Sequence, residues 1–485
     1  MPAFPSQEKY DTTNAYAAML HESRAHYQAS FHWTERHLQC VWFDERLRPK
    51  RLITSTGETV VVESPGRWNL EAGPDFLDAV LRVGSEARRI TGDVEVHVRP
   101  NDWDHHHHDC DGLYRNVVLH VTHFASPAMR AITPTALLHV PLYDLLAATP
   151  AFSFDDVDLS AYPHAILPAT PRPCELALRQ SADQWKPLLT AAGRHRLHLK
   201  TERMRERLAR LQDRDQLLYE EILASLGYKH NTAAFRRLAQ HLPLASWEAD
   251  APAEQIYARL LGAAGLLPDV ETAEEEDSLV FSRNLWDLWW RDPAPLPADA
   301  RVTILRHATR PHNAPARRLA AAASLFQGGA RLYGPLAAVS RDPATRWFDR
   351  VTKLLTARLE WKYWQEHLTI TGRRQNKPVV LVGENRLAAM IANVVLPLFA
   401  ADGVDVNPLI AQLPPEDISA PMRETAHALF GRDHNPALYA SNGLLQQGLL
   451  QIHHDFCLNA RAGCQNCTLA QELSRRYSAA SSMVE

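Results

Sequence analysis

The fold is decided by residues 69–123, NLEAGPDFLDAVLRVGSEARRITGDVEVHVRPNDWDHHHHDCDGLYRNVVLHVTH. Ala79-Val80-Leu81-Arg82-Val83 is a β-prone run, closed by the turn signal Gly84-Ser85. Asp93-Val94-Glu95-Val96-His97-Val98 then alternates polar and apolar residues at period two. On a strand that period puts Asp93, Glu95 and His97 on one face and the three valines on the other. Val117 to His123 (VVLHVTH) is a further strand, with His120 expected opposite Leu119 and Val121. A solvated polar face gives the same alternation, so the pattern alone does not prove a site.

Composition is what raises the chemical reading. Asp75, in a Gly73-Pro74-Asp75 step, and Glu95 are hard oxygen ligands suited to magnesium or manganese. His97, two residues past Glu95, is placed to act on a water held by that metal. Pro74-Asp75 and Glu95-x-His97 together resemble the PD-(D/E)XK nuclease superfamily. Its pattern is an Asp near one strand, then an acid and usually a Lys two apart on the next. His97 stands where the superfamily mostly has Lys; it activates water but lacks lysine's fixed charge. The resemblance implies a metal-dependent phosphodiesterase acting on DNA or RNA. It also implies a helical Glu upstream that joins the metal site, for which Glu35 is the candidate; a solvated helix acid is the plain alternative.

Trp103-Asp104 leads into four consecutive histidines, 105–108. Being internal, the run does not read as a tag. His106 and His108 are candidates for contact with phosphate or for a soft-metal site. His120 and Asn116 complete the substrate-side candidates, with a hydrogen-bonded core histidine as the ordinary reading of His120. Gly73-Pro74-Asp75-Phe76, Gly92-x-Val94-Glu95-Val96-His97, Asp102-Trp103-x-x-His106-x-His108 and Tyr114-x-Asn116-Val117-x-Leu119-His120-Val121 resemble a bacterial family catalogued as domain of unknown function 2851. The similarity extends to Leu226-Gly227-Tyr228-Lys229-x-Asn231 and the cysteines near the end, and implies no activity.

At 485 residues the chain is long enough for two or three domains. Hydrophobic residues at 46% and charged ones at 22% describe a globular protein, and a net charge of −4 supplies no basic field for nucleic acid. The start carries no basic-then-apolar signal. The longest apolar run, Leu387 to Ala401, contains Asn393 and Pro397 and is too short to span a bilayer. No membrane association and a cytoplasmic location are expected. Six cysteines in so long a chain make no disulfide scaffold.

The expected fold class is α+β: a mixed α/β domain over 1–150 with a PD-(D/E)XK-like sheet, followed by a mainly α-helical domain. A helix is expected over Phe31 to Leu47, then a hairpin over Arg51 to Ser64. A proline-rich stretch, 151–180, reads as a linker. Helices should fill 181–440, with Gly227 as a helix stop. Arg194, Arg196, Lys200 and Arg203 are either a solvated, ion-paired face or the wall of a phosphate groove.

The tail, 441–485, carries a second chemical signal: Cys457, six residues, Cys464, two residues, Cys467. The spacing suggests a metal site, zinc or iron–sulfur, more than a disulfide. It resembles the iron–sulfur loop of the endonuclease III class of DNA glycosylases, except that Leu473 stands where that loop has its fourth Cys. His453, one helical turn before Cys457, or His454 would complete a zinc site with three thiolates. Two other functions fit the whole: a non-catalytic binding or scaffold protein, and a histidine-rich metal hydrolase of small molecules.

Overall fold

The structure, a computed structural model, describes residues 33–70, 73–105, 108, 111–125, 137–149, 152–163, 172–179, 185–292, 302–306, 311–340, 346–431, 433–458, 464 and 467–473. The chain divides into two compact units. The first comprises residues 1–195, 419–435 and 447–485, and the second residues 196–418 and 436–446. Expectation put the boundary at the proline-rich stretch and left the cysteine tail as a separate piece. Instead the division falls inside the long helix Trp185–Leu211, and the tail belongs to the sheet-bearing unit.

The first unit is built on a seven-stranded sheet: β1 (Leu52–Ile53), β2 (Thr59–Ser64), β3 (Arg67–Trp68), β4 (Phe76–Val83), β5 (Arg88–His97), β6 (Val117–Thr122) and β7 (Leu138–Pro141). The order is β1-β2-β4-β5-β6-β7, with β3 pairing the start of β4. Tight turns at Ser55–Gly57 and Gly84–Ala87 make the first strands antiparallel. The chain then crosses over, through the helical turns Asp102–His105 and Gly112–Tyr114, so β6 lies parallel to β5 and β7 parallel to β6.

That switch aligns equivalent residues in rows. Glu95 pairs with His120 and His120 with His139; His97 pairs with Thr122. A Val-rich face packs into the core formed by Val94, Val96, Leu119, Val121 and Val140. The opposite, polar face is not solvated: Asp93, Glu95, His97, His120 and His139 are all buried.

The helix Glu35–Phe43 packs against β5. Thr34 caps it in a reciprocal box with His37, and Leu38, Val41 and Trp42 are buried along its apolar stripe. Gly92 sets the spacing between β5 and β6, since a Cβ there would lie 2.4 Å from Val118 Cγ1 and 2.7 Å from the Asn116 carbonyl oxygen.

The second unit is helical around one apolar core. Gly227 does not stop a helix by turning left-handed, for its φ is −66°; Tyr228 takes the positive φ of 51°. The glycine is needed for room, because a Cβ would lie 2.4 Å from the Asn231 carbonyl oxygen. The apolar run Leu387 to Ala401 falls on the helices Glu384–Met390 and Leu396–Ala401 around a π-helical turn, Ile391–Val395, just ahead of Pro397 and its missing N–H. Lys200 donates to Asn393 within this unit, and burial pushes its ammonium well down, so it is not a free groove cation. No helix among the described residues is long and apolar enough to cross a membrane.

Candidate metal centre

The loop into β4 is braced from both ends. The Asn69 backbone N–H donates to the Asp75 carbonyl at 2.8 Å, and its side-chain amide donates to the Pro74 carbonyl at 2.8 Å. Gly73, at φ +109°, makes the bend that only glycine adopts easily. Asp75 is thereby held, fully buried, beside the end of β5. Its Oδ1 accepts from Gln39 Nε2 at 3.1 Å and its Oδ2 from the Val96 N–H at 2.9 Å. Its own N–H donates to Glu95 Oε2 at 3.0 Å. The Gln39 amide also reaches Glu35 Oε1, at 3.3 Å. Glu35, Asp75 and Glu95 are therefore linked in one hydrogen-bonded chain, with Gln39 between the first two.

Glu95 turns its other oxygen to two imidazoles. Oε1 lies 3.4 Å from His97 Nε2 and 3.5 Å from His108 Nε2, and the two nitrogens are 3.3 Å apart. All three residues are buried and offer their ligand atoms to one point. A tetrahedron with metal–ligand arms of about 2.05 Å has edges of about 3.3 Å, so these spacings suit one ion with a position left open. Asp75 is outside this triad; its carboxylate serves the support instead.

The surroundings fix the imidazoles. His97 Nδ1 is 2.9 Å from His120 Nε2, and burial holds His120 well below the usual imidazole range, keeping it neutral. The tautomer in which His97 Nδ1 donates leaves its Nε2 lone pair aimed at the triad. Tyr114 stacks on His108 with centroids 3.8 Å apart, and Trp103 meets both His108 and His120. His139 stacks obliquely on His120, and burial lowers it to about 4.

The other candidates fall as follows. Asp93, on the expected face, accepts the Asp78 N–H at 3.1 Å where β4 bulges, and takes no part in the triad. Asn116 is exposed, and its carbonyl accepts the Asp93 N–H. His106 lies outside the described residues. His108, expected at the phosphate, stands in the ligand set, and His120 stands behind His97. His453 opens a π-helical turn that ends at Cys457, with Cys464 and Cys467 beyond.

Sequence reasoning missed Gln39, Tyr114, Trp103 and His139. Gln39 carried a signal, four residues after Glu35 on the same helix face, and Trp103 and Tyr114 stood in the family motifs without a role. In the helical unit Glu275, Asp277 and His367 also converge, but Arg374 already occupies both carboxylates, from its N–H to Glu275 and its guanidinium to Asp277.

A mixed sheet carrying a buried carboxylate–imidazole triad defines an α/β protein with a candidate metal centre. The family described as "Protein of unknown function (DUF2851)" matches residues 35–408, and the chain belongs to that family. The match spans every strand of the sheet and ends before the C-terminal cysteines. No curated protein and no solved structure matches significantly.

Proposed function

We propose that the sheet-bearing unit is a metal-dependent hydrolase that holds one divalent ion on Glu95, His97 and His108 and cleaves phosphodiester bonds in nucleic acid. The observation that carries the reading is the triangle of ligand atoms with sides of 3.3 to 3.5 Å. Two imidazoles and one carboxylate suit manganese, zinc or iron(II) better than magnesium, which prefers oxygen throughout. When bound, such an ion acts as a Lewis acid and lowers the pKa of a coordinated water toward neutrality. Glu95 supplies the negative charge, while Asp75 fixes its orientation through the N–H to Oε2 bond. His120 holds the His97 ring, and Gln39 ties Asp75 to the Glu35 helix.

The choice of phosphodiester rests on order along the chain. An Asp precedes one strand and Glu-x-His ends the adjacent one, as in the PD-(D/E)XK pattern. A net charge of −4 leaves attraction to nucleic acid to local contacts. Burial favours a second reading, hydrolysis of a small molecule, because Glu95 is only 4% and His97 0% exposed.

The test uses the purified full chain, its metal content by mass spectrometry, and cleavage of DNA, RNA and a small aryl phosphodiester with manganese, zinc or magnesium. Binding and cleavage should both be lost in Glu95→Gln and His108→Ala. Metal bound at this triad with turnover of the small ester alone would move the function to the second reading. An intact fold that takes up no ion here would leave a hydrogen-bonded scaffold.

A further inference from the structure

The three C-terminal cysteines do not stand alone. The helix Pro173–Arg179 brings Cys174 to them across most of the intervening sequence. That helix packs along Ala420–Phe430, which packs in turn on the π-helical turn His453–Cys457. The meeting is direct. The Cys174 and Cys467 thiols are hydrogen-bonded to each other, and both interact electrostatically with Cys457. Cys464 is close enough to interact with Cys174, Cys457 and Cys467 alike.

The sulfurs also have polar support. Cys467 accepts from the backbone N–H groups of Leu469 and Ala470 at the start of the helical segment 468–473, and Thr425 hydrogen-bonds Cys457. Every one of these residues belongs to the first compact unit.

We propose that Cys174, Cys457, Cys464 and Cys467 form a four-thiolate centre for a thiophilic metal, either zinc(II) or an iron–sulfur cluster. Cys174 is then the fourth ligand missing from the C-x6-C-x2-C spacing, so neither His453 nor His454 is required. All four cysteines are free thiols, and two of them share a hydrogen bond where a disulfide would need a covalent link. Cys174 is buried and the other three are half-buried, with no three of the four sulfurs within 4.8 Å of one another. The cation that acts on Cys457 and Cys464 is Arg172. A bound metal would replace the thiol protons and neutralise the sulfurs.

Both metal forms take four cysteine thiolates. The centre would clasp a segment before the helical unit to one after it, and it does so irrespective of what the Glu95 triad binds.

The test begins with the full chain purified without oxygen, assayed for zinc, iron and acid-labile sulfide. About one zinc, or about four irons with matching sulfide and a brown colour, is expected per chain. Glu95→Gln should retain this metal, which separates the two sites, whereas Cys174→Ser should lower it at least tenfold. If Cys174→Ser fails to fold, cobalt(II) added to the metal-stripped wild type should give thiolate charge-transfer bands, or iron and sulfide should rebuild the chromophore. Four thiols that stay metal-free in the folded wild type after both treatments would overturn the proposal. A folded Cys174→Ser variant with its full metal content would do the same.

Discussion

His139 gives a quantitative test of the buried polar row. It is 4% exposed, and neither ring nitrogen has a hydrogen-bond partner among the described residues. Burial lowers its pKa from the ordinary 6.5 to about 4. The unfolded chain therefore takes up the proton first as pH falls. The resulting stability is complete above pH 6.5 and is lost as pH drops toward 4. Between pH 7.5 and pH 5 the two titrations differ by about 2 kcal/mol for this one residue. His139→Phe keeps a ring against His120 and removes the titration. Its stability at pH 7.5 should change by less than about 1.5 kcal/mol, since the shape is nearly conserved. Urea unfolding of both proteins at the two pH values measures the difference. The wild type should lose about 2 kcal/mol more than the variant on acidification. Equal losses would show that His139 takes up its proton as readily in the fold as in the unfolded chain, and the buried-row argument would fail.

Other outcomes follow from packing and charge. His123, also lowered to about 4 by burial, should add a second acid-labile increment over the same window, seen as a flatter pH–stability curve in His123→Phe. Gly92→Ala should cost about 1–3 kcal/mol in chemical denaturation, because its methyl group meets Val118 and the Asn116 carbonyl; an unchanged midpoint would mean the two strands can part freely. In the helical unit Arg236 forms a buried bidentate pair with Glu221 at 2.9 and 3.0 Å. Arg236→Met should destabilise by about 3 kcal/mol, the low end for a broken buried pair, since Arg207 still faces the same carboxylate.

Much of the local structure was legible in the residues. Alternation over 93–98 and 117–123 marked β5 and β6, and Ser-Thr-Gly-Glu marked the first turn. Helical spacing marked Glu35–Phe43 and most of the later helices. The site was half legible. Period two placed Glu95 and His97 side by side, but Asp93, on the same period, serves a bulge. The sequence singled out His106 and His108 among four consecutive histidines but put them at the substrate; that His108 meets Glu95 and His97 depends on how the crossover folds back over β5.

By itself, then, the sequence determined the elements and put Glu95 and His97 on one face of β5, because pleat, helical period and turn chemistry act within a few residues. Only the tertiary structure decided that the polar face of β5 is buried. It also decided that a glutamine joins Glu35 to Asp75, that His120 and His139 stand in register with Glu95, and that Cys174 meets the last three cysteines. A strand's period says which side a residue faces. What covers that side is chosen by partners tens or hundreds of residues away, through burial and pairing register that no local pattern encodes.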